Sequence, residues 1–155
     1  MNNSEAPKKL GLVLTAVLLV AANVAIHAFG TTAWLRHLMR RYAGPDGNFK
    51  AHAALPAVTF TALVLLLLHM FEVVLWALAY LLVLPGDHLA TFEKATYFSV
   101  VTFTTLGYGD ITLVDHDWRL LSGIEALFGV VLIGWSTALL FLIVQRSWQG
   151  ITQGL

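Results

Sequence analysis

Cysteine is absent from this chain. No disulfide and no thiolate metal site can therefore form, and any assembly is held non-covalently. Charge is also scarce. Only 12% of the 155 residues are Asp, Glu, Lys or Arg, nine of each sign, for a formal net charge of zero. Soluble domains carry roughly 25% charged residues, so the composition argues against a water-exposed globule. No long acidic or basic tail points to a nucleic-acid partner. No arginine repeat lies within an apolar run, so voltage sensing by that route is not expected. A convergent set of nucleophile, base and cavity-forming residues is missing too, which argues against an enzyme, and no cofactor is expected.

Apolar sequence is plentiful: 58% of residues are hydrophobic and the mean hydropathy is +0.76. Three runs exceed the roughly 18 residues that mark a membrane-crossing helix. The first, Leu10 to Phe29, has Asn23 and His27 as polar members. It is too long for a secretory signal, and no small-residue cleavage pattern closes it. A non-crossing hairpin is its alternative reading. The second, Leu55 to Leu84, places Pro56 in its first turn, where the missing N–H costs nothing, and Pro85-Gly86 ends it. His69 and Glu72 lie near its middle, one helical turn apart. The third, Trp118 to Val144, is interrupted by Gly123, Gly129 and Gly134, with Trp118 and Trp148 at opposite ends as interfacial anchors. Between the first two runs, Thr31 to Tyr42 puts Trp34, Leu35, Leu38, Met39 and Tyr42 on one side and Arg36, His37, Arg40 and Arg41 on the other. That pattern predicts a separate basic amphipathic helix lying in the membrane interface, with a simple positively charged connector as the alternative. Ala43 to Asn48 reads as a turn.

Between the second and third runs stands a different kind of segment. Thr91 to Phe103 is helical in pattern but too short to span a bilayer, with Thr91 as a candidate N-cap and Glu93 in the first turn. The polar stretch Thr104-Thr105-Leu106-Gly107-Tyr108-Gly109-Asp110 follows. The two together read as a re-entrant loop, because non-helical backbone at membrane depth survives only inside protein or along a watery path. Gly107 and Gly109 take positive φ cheaply. Alternating left- and right-handed residues would turn successive carbonyls to one side. The carbonyls of Thr105, Leu106, Gly107 and Tyr108, with the Thr105 hydroxyl, would then form a ladder of oxygen cages for a dehydrated cation.

At this point the chain resembles potassium channels, whose selectivity filter is usually TVGYG. TTLGYGD departs from that form at Leu106, which stands for valine. The swap keeps the carbonyl and an outward aliphatic side chain. The resemblance extends roughly from Leu63 to Val144. It implies that the filter residues Thr105, Leu106, Gly107, Tyr108 and Gly109 bind K+, the permeant ion. It implies support from Thr104, Asp110, Tyr97, Phe98 and Val101, with Tyr97 hydrogen-bonded near Asp110. It places a hinge at Gly129, where close helix packing through small residues is the other reading. Val130, Ile133, Thr137 and Phe141 share a stripe with Gly129 that would line the path below the filter, with a constriction at Phe141. Potassium transporters with related loops carry four loops per chain with a single glycine each, whereas this chain has one loop and the full GYGD.

Charge sets the expected orientation. Asp87, Glu93, Asp110, Asp115 and Asp117 face only Lys94 between residues 85 and 117, whereas Arg36, Arg40, Arg41 and Lys50 face only Asp46 between residues 30 and 55. The positive-inside rule assigns the basic stretch and the C-terminus to the cytoplasm. Three crossings then leave the N-terminus outside, with Lys8 and Lys9 arguing mildly the other way. No ligand-binding pattern is expected after Arg146.

The sequence therefore predicts an all-α membrane protein of three transmembrane helices, a re-entrant pore helix and a filter loop. One loop per chain cannot close a cage, so a homotetramer is the economical assembly. The expected divisions are an N-terminal helix with a basic interfacial helix (1–54), a pore domain (55–146) and a short tail (147–155). The expected function is a potassium-selective channel of a bacterial inner membrane, with anionic lipid against Arg36, Arg40 and Arg41. The alternatives are a weakly selective cation channel, or a transporter or enzyme using His69, Glu72 and Glu125 as a proton or metal site.

Overall fold

In a computed structural model, the structure describes residues 5–44, 47, 49–83, 89–113 and 116–153. All regular elements among them are helical: α1 (Glu5–Tyr42), a 3₁₀ turn (Ala51–Ala53), α2 (Ala54–Val83), α3 (Phe92–Phe103) and α4 (His116–Gln153). Three are long and apolar enough to cross a membrane: Leu10–Tyr42, Ala54–Val83 and Trp118–Thr152. In their most apolar windows only 17%, 33% and 22% of residues are buried within the chain. Most of their apolar surface therefore faces outward, as a lipid-embedded protein requires. At 12 residues, α3 rises only about 18 Å, well short of a bilayer. The chain is an all-α membrane protein. Pro85, Gly86 and Asp87, like Pro45, Asp46, Asn48 and Asp115, lie outside the described residues, as does the side chain of Asp117.

The separate interfacial helix expected at Thr31 to Tyr42 does not exist, nor does a hairpin in the first run. Residues 5–42 form one helix. Gly30, Thr31 and Thr32 are weak helix formers, each costing under about 1 kcal/mol, and none removes a backbone donor as proline would. Thr31 also returns its hydroxyl to the carbonyls of His27 (2.6 Å) and Ala28 (3.3 Å). Within the short C-terminal tail, α4 continues to Gln153.

The chain divides into two compact units, residues 1–25 with 70–132 and residues 26–69 with 133–155. The first has a core of Ala16 and Leu19 from α1, Trp76 and Tyr80 from α2, Phe98 and Phe103 from α3, and Leu121 and Leu132 from α4. Tyr80 meets the Phe98 ring edge-on, with centroids 5.2 Å apart. In the second, Leu38, Phe49, Ala57 and Ile143 form the core, flanked by Trp34, Leu35, Met39 and Tyr42. The apolar side of residues 34–42 thus packs on protein, which is why it needs no interface of its own. Trp34 Nε1 donates to Thr61 Oγ1 at 3.0 Å. Around the predicted turn, Ala43 pairs with Phe49, and Gly47 takes φ 77°.

Candidate functional site

α3 begins and ends by local rules. Thr91 is extended (φ −117°, ψ 148°), and its hydroxyl accepts from the Lys94 N–H at 3.3 Å, with Glu93 in the first turn. At the other end, the Leu106 N–H bonds the Val101 carbonyl (2.9 Å) and the Thr105 N–H bonds that of Thr102 (2.9 Å). These are the two bonds of a Schellman motif. The motif needs a left-handed residue after the cap, and Thr105 fills it at φ 58°. Glycine usually stands there, because a β-branched residue in this region is strained. The sequence reading did not foresee positive φ at Thr105, since threonine gives no such signal.

Beyond Thr105, positive φ recurs at Gly107 (55°) and Gly109 (79°). Left-handed residues thus occupy every second position from 105 to 109. The Gly107 N–H adds a longer bond (3.3 Å) to the Val101 carbonyl. Thr104 turns its hydroxyl back to the Val100 carbonyl at 2.7 Å. Residues 104–110 are all exposed in the single chain, Tyr108 by 67% and Leu106 by 53%. Nothing within 4 Å would meet a Cβ at Gly107 or Gly109, so backbone conformation alone restricts those positions.

On the α3 side of the loop, Tyr97 Oη donates to Asp110 Oδ2 at 2.7 Å. That bond holds the Asp110 carboxyl below its ordinary pKa and raises the Tyr97 phenol. Phe98 and Val101 are buried. A cavity of about 420 Å³ lies against the loop, lined in part by Tyr97, Val101, Gly107, Gly109, Asp110 and Arg119. Arg119 Nε donates to the Leu113 carbonyl at 2.7 Å, tying the chain after the loop to the start of α4.

Gly129 lies where α4 meets the end of α3. A Cβ there would fall on the backbone carbonyl of Phe103. In this structure the glycine permits close helix approach; the hinge assigned to it by resemblance is a separate property. On α4, Val130, Ile133, Thr137 and Phe141 are all exposed in the single chain.

Glu125 has two bonded side-chain partners, one on α2 and one on α3. Glu125 is buried and accepts from Tyr80 Oη at 2.6 Å through Oε2, while its Oε1 is bonded to Ser99 Oγ. Ser99 Oγ also reaches the Val73 carbonyl at 3.0 Å. Tyr80 and Ser99 were missed from sequence; the one hint was a lone serine amid the apolar residues of α3. His69 Nε2 meets Ser136 Oγ at 2.9 Å, and His27 Nε2 meets the same oxygen at 3.3 Å. The two imidazoles stack with centroids 5.3 Å apart. Glu72 is buried one turn along α2 from His69. Arg36, Arg40 and Arg41 are exposed.

A family model described as an ion channel matches residues 57–146, more than half of the chain. The match runs through α2, α3, the loop and most of α4. No solved structure matches the chain.

Proposed function

The chain belongs to the ion channel family, and on that premise we propose that it is the subunit of a homotetrameric, potassium-selective channel. The observation that carries the reading is the loop backbone. Left-handed residues at Thr105, Gly107 and Gly109 alternate with right-handed or extended ones, along the sequence TTLGYGD. Such alternation suits a column of carbonyls from Thr105 to Tyr108 that replaces the hydration shell of K+. One chain supplies one wall of that column, and four walls around an axis close it. The wide exposure of Leu106 and Tyr108 in a single chain supports burial by neighbouring copies.

In this reading α3 is the pore helix, and the negative end of its dipole aims at the ion path. Tyr97 and Asp110 brace the filter from outside it. The stripe of Val130, Ile133, Thr137 and Phe141 lines the inner path, with Phe141 as a hydrophobic constriction. The basic end of α1 and the C-terminus face the cytoplasm of a bacterial inner membrane, and the N-terminus lies outside. Selectivity is tested by planar-bilayer recording of the purified protein under a potassium–sodium gradient. The expected reversal potential lies close to that for K+. A value midway between those for K+ and Na+ would leave a weakly selective cation channel instead.

A further inference from the structure

We propose that Glu125 is held as a neutral carboxylic acid whose proton completes a hydrogen-bond chain from Tyr80 to the Val73 carbonyl, and that this chain positions α3 behind the filter loop. Three helices each contribute one side chain: Tyr80 from α2, Ser99 from α3 and Glu125 from α4, all fully buried. The contacts form an unbranched path. Tyr80 Oη meets Glu125 Oε2, Glu125 Oε1 meets Ser99 Oγ, and Ser99 Oγ meets the Val73 carbonyl. Three hydrogen bonds need three protons. A phenol and a serine hydroxyl bring one each, and a backbone carbonyl brings none. The third must sit on Glu125.

In the filled chain Tyr80 donates to Oε2, Oε1–H donates to Ser99 Oγ, and Ser99 donates to Val73. An ionised Glu125 would leave Ser99 one proton for two acceptors. It would also bury a charge whose bonded partners are two neutral hydroxyls, among the apolar side chains of this core, which costs far more than burying the acid.

The arrangement ties α3 to α2 and α4 at Ser99. One turn along α4 from Glu125, Gly129 brings the backbone against Phe103. Between these two anchors lies Val101, whose carbonyl receives the N–H groups of Leu106 and Gly107. Displacement of α3 would therefore reach the loop through Val101. Glu125 is thus a positioning residue. It touches no permeant ion. Its link to conduction rests on the channel reading above, whereas its protonation does not.

The test uses the full chain reconstituted in lipid, with two independent readouts. Infrared difference spectra of wild type against Glu125→Gln at neutral pH should show a protonated-carboxyl C=O band that shifts upward in Ser99→Ala. Carboxylate bands in its place would overturn the proton assignment. In single-channel recording, Glu125→Gln should keep the conducting-state lifetime within about twofold, because an amide supplies both a donor for Ser99 and an acceptor for Tyr80. Ser99→Ala and Glu125→Ala should shorten it about tenfold, as loss of a buried hydrogen bond implies. Lifetimes equal to wild type in Ser99→Ala would overturn the positioning role, even if Glu125→Ala fails to assemble. A wild type without potassium preference would instead overturn the filter reading and leave the infrared result standing.

Discussion

Thr105, Gly107 and Gly109 share a sign of φ, but they do not share a cause. The glycines take it freely, whereas Thr105 is held there by the two bonds that cap α3. Gly107→Ala or Gly109→Ala adds a Cβ to a left-handed residue at roughly 1–2 kcal/mol each. Either should abolish selective current, read as loss of the potassium reversal potential. Leu106→Val should leave it unchanged, since the carbonyl is kept. Tyr97 and Asp110 make a second residue-level prediction. The Asp110 pKa is lowered and the Tyr97 pKa is raised by their shared bond. A depressed carboxyl stabilises the folded loop above its unfolded pKa and loses that contribution as pH falls through the lower folded value. A raised phenol contributes below its unfolded pKa and loses the contribution as pH rises through the higher folded one. The bond should therefore persist from below the ordinary carboxylate range, about pH 4, to above that of tyrosine, about pH 10. External acidification should shorten channel openings in wild type only below pH 4. Tyr97→Phe should show shorter openings at neutral pH, and identical records for the two would leave the bond without a role.

Helix contacts decide what the other glycines do. Gly129 and Gly123 lie on the same helix and look alike in sequence. A Cβ at Gly129 meets the Phe103 backbone, while one at Gly123 meets nothing within 4 Å. Gly129→Ala should destabilise by about 2–3 kcal/mol, the usual scale of overpacking against atoms that cannot rotate away. Gly123→Ala should stabilise by about 0.5–1 kcal/mol through helix propensity. Thermal unfolding of the two variants in detergent should order them on opposite sides of wild type. Gly150 repeats the Gly129 case in the other unit, where a Cβ would fall on the Phe49 carbonyl. That close approach helps explain why α4 runs on to Gln153 as packed helix. Arg146 adds a bond to the Gly47 carbonyl at 3.4 Å.

For the molecule in its membrane, the outward apolar surface and the basic end of α1 matter most. Arg36, Arg40 and Arg41 are exposed on a helix whose opposite side is packed on protein. At an anionic leaflet each gains about 1 kcal/mol near the surface. Replacing all three by Gln should reduce the dependence of open probability on anionic lipid, measured in neutral and anionic bilayers. Equal wild-type activity in both would remove the lipid role.

Some of this protein is legible in its sequence alone. Hydropathy counts three crossings because transfer into hydrocarbon depends on local composition and length. The glycines of TTLGYGD announce their loop because positive φ is a property of single residues. Thr91 marks the start of α3 for the same reason: a cap is made by its own side chain. Other features depended on which helix faces meet. Glu125 carries no sequence mark that pairs it with Ser99 and Tyr80, residues 26 and 45 positions away. Gly129 looks like any small residue until the Phe103 carbonyl comes against it. The run Thr31 to Tyr42 has the pattern of an interfacial helix, yet its apolar side packs through Leu38 against Phe49, Ala57 and Ile143. Local preference fixes what a segment can be, while contact between distant segments selects its partner, and only the folded chain holds that contact.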